Sequence, residues 1–390
     1  MVAVGSGFCP QADAAQQATS KQRYEVIERS FRESKPAPIP LLTAEAAWTL
    51  KLNVPPSAGG AMDEDRVYIP LREELFVAIE RETGLLAWMR EIETTAPPVV
   101  GGGHLFVVSR GHIQAVDAAT GEELWSVAVD TPVTAPLTWD NGWLIALVAP
   151  GEVLAFRGTD GHLMWRRSVG ATSLHAAVPG GRQNLYLSLS DGRVVALALS
   201  SGELMWERKL PGILSPPAVG KDRVFVGSTN NFLYAFAAES GHDAWSWRNG
   251  GDVIGAAVDG DVVYFASLDN IIRAVNRGNG NQRWRKPTGT RPLLPPRAFR
   301  GVVLLPGMMP AITVFVGETG AVMGTQAAQG DLAGPPLIDT APKPFTVAFV
   351  TITREGVVEA LRPTALMFRE TPPIPVAALP GRVVTRERME

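Results

Sequence analysis

A glycine followed four residues later by a tryptophan returns at a nearly constant interval, and no other feature limits the folds open to this chain so strongly. The pairs are Gly84/Trp88, Gly121/Trp125, Gly161/Trp165, Gly202/Trp206, Gly241/Trp245 and Gly280/Trp284, while Gly320/Gly324 is a copy that has lost its indole. Trp48 stands 40 residues before Trp88 and belongs to the same series, with Ala44 in place of the glycine. Successive copies lie 37 to 41 residues apart. A period of this length marks a solenoid, propeller or array, in which each unit relies on its neighbours to cover its apolar face.

Each unit reads as four short strands. In a typical one, Ser215-Pro-Pro-Ala-Val is followed by a polar turn at Gly220-Lys-Asp222 and the β-rich run Arg223-Val-Phe-Val-Gly227. The chain then turns at Asn230-Asn231, returns as Phe232-Leu-Tyr-Ala-Phe236, and closes with Gly241 and the strand carrying Trp245. Hairpin turns between such runs make one antiparallel sheet. The second turn carries residues that tolerate a left-handed backbone: Gly111, Gly151, Gly192, Asn231, Asn270 and Gly356. An alanine follows each of them by four residues, and the full signature is Ala-x5-Gly-x3-Trp. A flat indole on an outer strand needs a shallow seat on the neighbouring sheet, which Ala and Gly leave open, and its N–H needs a carbonyl.

Counting units fixes the architecture. Complete copies end at Trp88, Trp125, Trp165, Trp206, Trp245, Trp284 and Gly324, and after Gly324 there are three strands without a fourth. The strand around Trp48 is a fourth strand without its three partners. Joining them gives an eighth sheet from both chain ends, which hides the terminal edges. The expectation is an all-β, eight-bladed β-propeller over residues 44–362, with a leader over 1–43 and a tail over 363–390. Within the leader, Tyr24, Ile27 and Phe31 recur at helical spacing, so a short helix is expected over 21–34.

Composition narrows the function. With 36 basic against 39 acidic residues and no basic stripe, nucleic acid is not an expected partner. Cys9 is the single cysteine, so neither an intrachain disulfide nor a paired-cysteine zinc site can form. No apolar run is long enough to span a membrane. The start, Met1 to Cys9, lacks a basic n-region and a full apolar segment. It reads either as the remnant of an export signal, with Cys9 a candidate lipid-attachment residue in a damaged context, or as an ordinary disordered terminus. Asp117, Asp140 and Asp259 fall in turn positions and are read as solvated turn residues. The five histidines lack partners at metal-ligand spacing, and Gly101-Gly102-Gly103 joins two strands instead of opening a helix, so it is no phosphate cradle. No catalytic residue, cofactor or metal site is assigned. Trp139, Trp143 and Trp247 fall outside the repeat. Trp139 and Trp143 flank Asp140-Asn141-Gly142, as a contact surface or as packing over a neighbouring turn.

The run Ala115-Val-Asp-Ala-Ala-Thr-Gly-Glu-Glu-Leu-Trp125 resembles the repeat of the pyrroloquinoline-quinone-type β-propellers, and the likeness extends over roughly residues 44 to 362. One branch of that family comprises quinone-dependent dehydrogenases, which hold a quinone and calcium on the propeller axis. The other is an eight-bladed outer-membrane assembly lipoprotein without cofactor or catalysis. Blade count and length favour the second, which implies a monomeric, non-catalytic scaffold on the periplasmic side of the cell envelope, partnered by a component of the barrel-assembly machinery. The alternative is a quinoprotein-like dehydrogenase or a small-ligand binder using the axial funnel. Two inter-blade loops, Leu210-Pro-Gly-Ile-Leu214 and Arg291-Pro-Leu-Leu294, are the candidate partner site. They place Leu210, Ile213, Leu214, Arg291, Leu293 and Leu294 near one rim, where they either dock a protein or cap the axial core. The seven tryptophans, Trp48, Trp88, Trp125, Trp165, Trp206, Trp245 and Trp284, are assigned to docking sheet on sheet.

Overall fold

The computed structural model describes residues 44–181, 183–308, 311–339 and 346–363. These residues form eight four-stranded antiparallel sheets arranged as the blades of a β-propeller. Blade 1 is typical: Ala61–Met62, Arg66–Pro70, Leu75–Glu80 and Leu86–Glu91 are its strands a to d from the axis outward. Blades 2 to 7 occupy 99–128, 138–168, 178–209, 218–248, 253–287 and 297–327. In blade 8, strands a to c come from 337–338, 349–352 and 357–363, and strand d is Ala44–Lys51 from the other end of the chain. Trp48 pairs with Ala360 in that closing ladder. The leader helix, Cys9 and residues 364–390 lie outside the described residues. No helix among the described residues is long and apolar enough to cross a membrane.

Strands b and c are buried along nearly their whole length, as in Arg66–Pro70 and Leu75–Glu80, because each sheet is covered by a neighbour on both faces. The outer strand d is mostly exposed, and Trp88 is the buried residue of Leu86–Glu91. The apolar core is correspondingly divided into eight clusters, one in each seam between adjacent blades.

The indoles close these seams in one repeated geometry. Trp48, Trp88, Trp125, Trp165, Trp206, Trp245 and Trp284 donate Nε1–H to the carbonyls of Arg81, Ala118, Gly158, Leu199, Ala238, Arg277 and Gly317, at 2.8 to 3.1 Å. Each acceptor stands three residues before the motif glycine of the next blade, and that glycine lies under the ring. A Cβ added to Gly84, Gly121, Gly161, Gly202, Gly241, Gly280 or Gly320 would come within 2.9 Å of the preceding blade's indole. The two small residues of the motif therefore serve different indoles. The alanine pairs across strands c and d with the tryptophan of its own blade, as in Ala78↔Trp88 and Ala196↔Trp206, and the glycine seats the tryptophan arriving from the previous blade. An aromatic residue on strand b often completes the row: Tyr186 lies 5.9 Å from Trp206, and its hydroxyl donates to the same Ala238 carbonyl at 2.9 Å.

Two seams depart from the pattern. Between blades 8 and 1, buried Arg81 donates from Nε to Val347 O at 2.8 Å and from Nη2 to Asp339 at 2.5 Å, and the Glu82 carboxylate accepts the Val347 N–H at 2.9 Å. Polar bonds thus reinforce the indole where the chain closes on itself. Between blades 7 and 8 there is no indole, because Gly324 stands opposite Val314. Among the described residues, blade 8 contributes Phe349 and Leu361 as the buried apolar residues of that seam, and one oxygen of buried Glu359 has no hydrogen-bond partner.

The left-handed turn positions all have positive φ, from 61° at Asn270 to 140° at Gly151. In blade 1 the non-glycine pair Glu73 and Glu74 fills the same turn at φ 62° and 59°. Trp139 is a packing residue: it stacks on Phe106 at 5.1 Å and covers Gly101, Gly102 and Gly158.

Candidate functional site

Antiparallel connectivity puts the a–b and c–d turns on one rim and the b–c turns with the inter-blade loops on the other. Both loops singled out from the sequence lie on the second rim. In each, hydrogen bonds to the b–c turn of the blade that the loop enters fix the tip. Ile213 N donates to Thr229 Oγ1 at 2.9 Å, Thr229 N donates to Ile213 O at 3.0 Å, and Ser228 Oγ donates to Pro211 O at 2.6 Å. In the other loop, Leu293 N donates to Pro306 O at 3.1 Å and Met308 N to Arg291 O at 2.9 Å. These bonds hold Ile213 and Leu293 outward at 74% and 60% exposure. Arg291 is also exposed, and Leu294 is half-buried.

Leu210 and Leu214 are corrections to the expected site. At 9% and 4% exposure they belong to the apolar cluster between blades 4 and 5, where Val224, Val226 and Phe236 surround them, and no partner can reach them without unfolding the loop. Loop residues lack the two-residue alternation that tells an inward strand residue from an outward one, so spacing did not separate Ile213 from its neighbours.

Two further apolar residues share this rim. Leu174 is 72% exposed on the loop entering blade 4, and Met308 is 62% exposed beside Leu293. His175 ties Leu174 to Ile213: its Nε2–H donates to Leu214 O at 3.2 Å, bridging the two loops. Burial pushes the His175 imidazolium pKa down, with the carbonyl bond opposing it. The rim therefore carries one apolar knuckle at Leu174/Ile213 and a second at Leu293/Met308 with Arg291. The short loop Asn249-Gly-Gly-Asp252 of blade 6 lies between them in the ring order. Met308 belongs to the apolar turn that begins at Pro306. Leu174 had one sequence signal, a large apolar residue amid the polar loop Thr172-Ser173-Leu174-His175.

Asp117 is occupied within its own turn, whereas Asp259, expected as a solvated turn residue, reaches across the seam to blade 7. Asp117 Oδ1 accepts the N–H groups of Ala119 and Thr120, both at 2.8 Å, and Asp259 Oδ2 accepts Gly301 N–H at 2.6 Å. His104 and His112 bond to nearby backbone carbonyls. Among the described residues no group of three or more His, Cys, Asp or Glu is placed to hold a metal ion. Between blades 4 and 7 this rim presents apolar side chains on braced loops, with the Arg291 guanidinium beside Leu293.

The family model described as outer membrane protein assembly factor BamB matches residues 42–178, 109–209 and 190–342. The outer membrane protein assembly factor BamB of Moranella endobia is 24% identical over 237 residues, spanning 45% of this chain and 60% of that protein. The quinohemoprotein alcohol dehydrogenase ADH IIB of Pseudomonas putida is 26% identical over 191 residues, or 40% of this chain and 26% of that enzyme. The crystal structure of BamB from Moraxella catarrhalis superposes with a TM-score of 0.66 at 17% identity, covering 82% of this chain and 99% of that one. The sequence matches thus span less than two thirds of either relative's length. With three overlapping matches across 42–342 and the eight-bladed ring, the chain belongs to the PQQ-like β-propeller family whose model is described as outer membrane protein assembly factor BamB.

Proposed function

We propose that this propeller is a non-catalytic docking scaffold on the periplasmic side of the cell envelope, where it assists assembly of outer-membrane β-barrel proteins. Its partner is a component of the barrel-assembly machinery, gripped by the rim carrying Ile213, Leu293, Leu294 and Arg291, with Leu174 and Met308 extending the surface. The observation that carries this reading is the outward bracing of large apolar side chains on one rim. The loops of Ile213 and Leu293 are hydrogen-bonded to their b–c turns, and both side chains are exposed. Apolar anchors beside an arginine on a rigid loop are the usual core of a protein contact.

Deleting the gene and measuring outer-membrane β-barrel protein levels tests the reading. The levels are expected to fall and to recover with the wild-type gene, but not with an Ile213→Asp/Leu293→Asp variant that still folds. Deletion without effect on those proteins would sink it. Likeness to the Pseudomonas putida quinohemoprotein favours one rival, a dehydrogenase or ligand binder using the axial funnel. Saturable binding of pyrroloquinoline quinone with calcium, together with dye-linked alcohol oxidation, would establish that rival.

A further inference from the structure

Blade 1 departs from the other blades on its outer wall. In blades 2 to 7 the residue after the motif glycine is Glu, His, Glu, His, Asn or Ala, and the residue after the indole position is Ser, Arg, Glu, Ser, Arg or Thr. Blade 1 has Leu85 and Met89 at these two places. Leu85, Leu86 and Met89 are 66%, 60% and 50% exposed, and among the described residues no other blade exposes more than two large apolar side chains on its strand d. Leu86 pairs with Ile79 and Met89 with Val77, on the sheet face turned to blade 8 and away from Trp88. Beside them Trp48 of blade 8 lies over Gly84 and, like Leu50, is only partly buried. An apolar strip thus runs along the outside of the closing seam, larger than the single exposed residues that any surface carries.

The chain leaves the ring at the same seam. Pro363 ends strand c of blade 8, where it pairs with Ala44. Arg362 Nη2 stands 3.4 Å from the carboxylate of Glu82, in the c–d turn that leads to Gly84 and Leu85. Segment 364–390 starts from that point, and its first apolar run is Ala365-Leu-Met-Phe368. Leu366 stands four residues past Arg362, a span of about 13 Å when extended. So short a tether holds the run near the strip at an effective concentration of about millimolar, an advantage that a second copy lacks. We propose that Leu366 and Phe368 dock on Leu85, Leu86 and Met89, so that the segment after Pro363 straps the closing seam from outside. The strip lies on the outer wall beside the c–d turns, so this inference is independent of the docking rim.

The test is oxidation of the purified full chain by dilute hydrogen peroxide, with each methionine followed by mass spectrometry. Met89 and Met205 lie on equivalent outer strands at 50% and 47% exposure, so uncovered strands would oxidise alike. Met89 is expected to oxidise about tenfold more slowly than Met205, as coverage of the strip for about nine-tenths of the time gives. In the full-length Leu366→Asp/Phe368→Asp protein, whose substitutions lie outside the ring, Met89 should oxidise at the Met205 rate. Conversely, Leu85→Asp/Leu86→Asp should speed tryptic cleavage after Arg369. The proposal is overturned if Met89 and Met205 oxidise alike in the wild type, or if protection survives Leu366→Asp/Phe368→Asp. It is equally overturned if protection is lost instead on deleting residues 1–37, if it fades on dilution, which would assign the strip to a second copy, or if cleavage after Arg369 is unchanged.

Discussion

Gly241→Ala tests how the blades are held together, when it is set beside Gly111→Ala. Both glycines are left-handed, at φ 67° and 78°, so each alanine bears the same backbone penalty of roughly 1–2 kcal/mol. Nothing lies within 4 Å of a Cβ at Gly111, whereas a Cβ at Gly241 would stand 2.5 Å from Trp206 Cδ2 and 2.7 Å from Cε3. Ordinary carbon contacts begin near about 3.5 Å, so the indole must withdraw by about 1 Å. Trp206 has little room to do so: it is 6% exposed and packed between Tyr186 and Phe236 at 5.9 and 6.2 Å. Withdrawal also stretches its 2.9 Å bond to Ala238 O, adding about 1 kcal/mol to an overpacking cost of about 1–3 kcal/mol. Gly241→Ala should therefore lose about 2–4 kcal/mol more than Gly111→Ala. Urea unfolding followed by far-UV circular dichroism, with unchanged m-values, measures both. Equal losses would show that the glycine is needed only for its backbone angle and that the indole seat contributes nothing.

Other outcomes follow from the seams and the buried charges. Burial raises the Glu359 pKa, against a smaller opposing effect of its bond with Gln326, so the folded state favours the protonated acid. That contribution is complete below the unfolded value near about 4.3 and is lost as pH rises through the folded one. Glu359→Gln should thus stabilise the protein by about 1 kcal/mol at pH 7 and bring no gain at pH 4, as read by paired urea curves. Asp269 is the opposite case: burial would raise its pKa, but bonds from Arg273 and Ser267 outweigh burial and lower it. Its contribution is present above about pH 3.9 and lost as pH falls through the folded value. Asp269→Asn should cost about 2 kcal/mol at pH 7, a gap that closes on acidification. Hydrogen exchange should reach the strands of blade 8 soonest, since the seam with blade 7 has no indole; uniform protection across all blades would count against that ranking.

Much of the ring was legible because its determinants are local and repeated. The Trp interval sets the blade length, and the unpaired strand around Trp48 announces closure with the three strands after Gly324. The division of labour between Ala and Gly was not legible, since a single-unit motif does not say which of two indoles each small residue meets. Only the strand register, with Ala196 opposite Trp206 and Gly241 beneath it, separates them. The Glu73-Glu74 turn carried no signal because neither residue favours a left-handed backbone. On the rim, Ile213 and Leu214 are adjacent apolar residues with opposite fates, decided by the bond from Ile213 N to Thr229. Arg81 and Arg297 look alike in sequence, but Arg81 is buried and bonded at the closing seam, whereas Arg297 is exposed.

The docking role is tested most directly by placing a photo-crosslinking residue in living cells at Ile213, at Leu293 and, on the opposite rim, at exposed Asn279. Adducts with a component of the barrel-assembly machinery are predicted from Ile213 and Leu293 and not from Asn279. Adducts from Asn279 alone, or none from either rim loop in cells that assemble outer-membrane proteins normally, would contradict it.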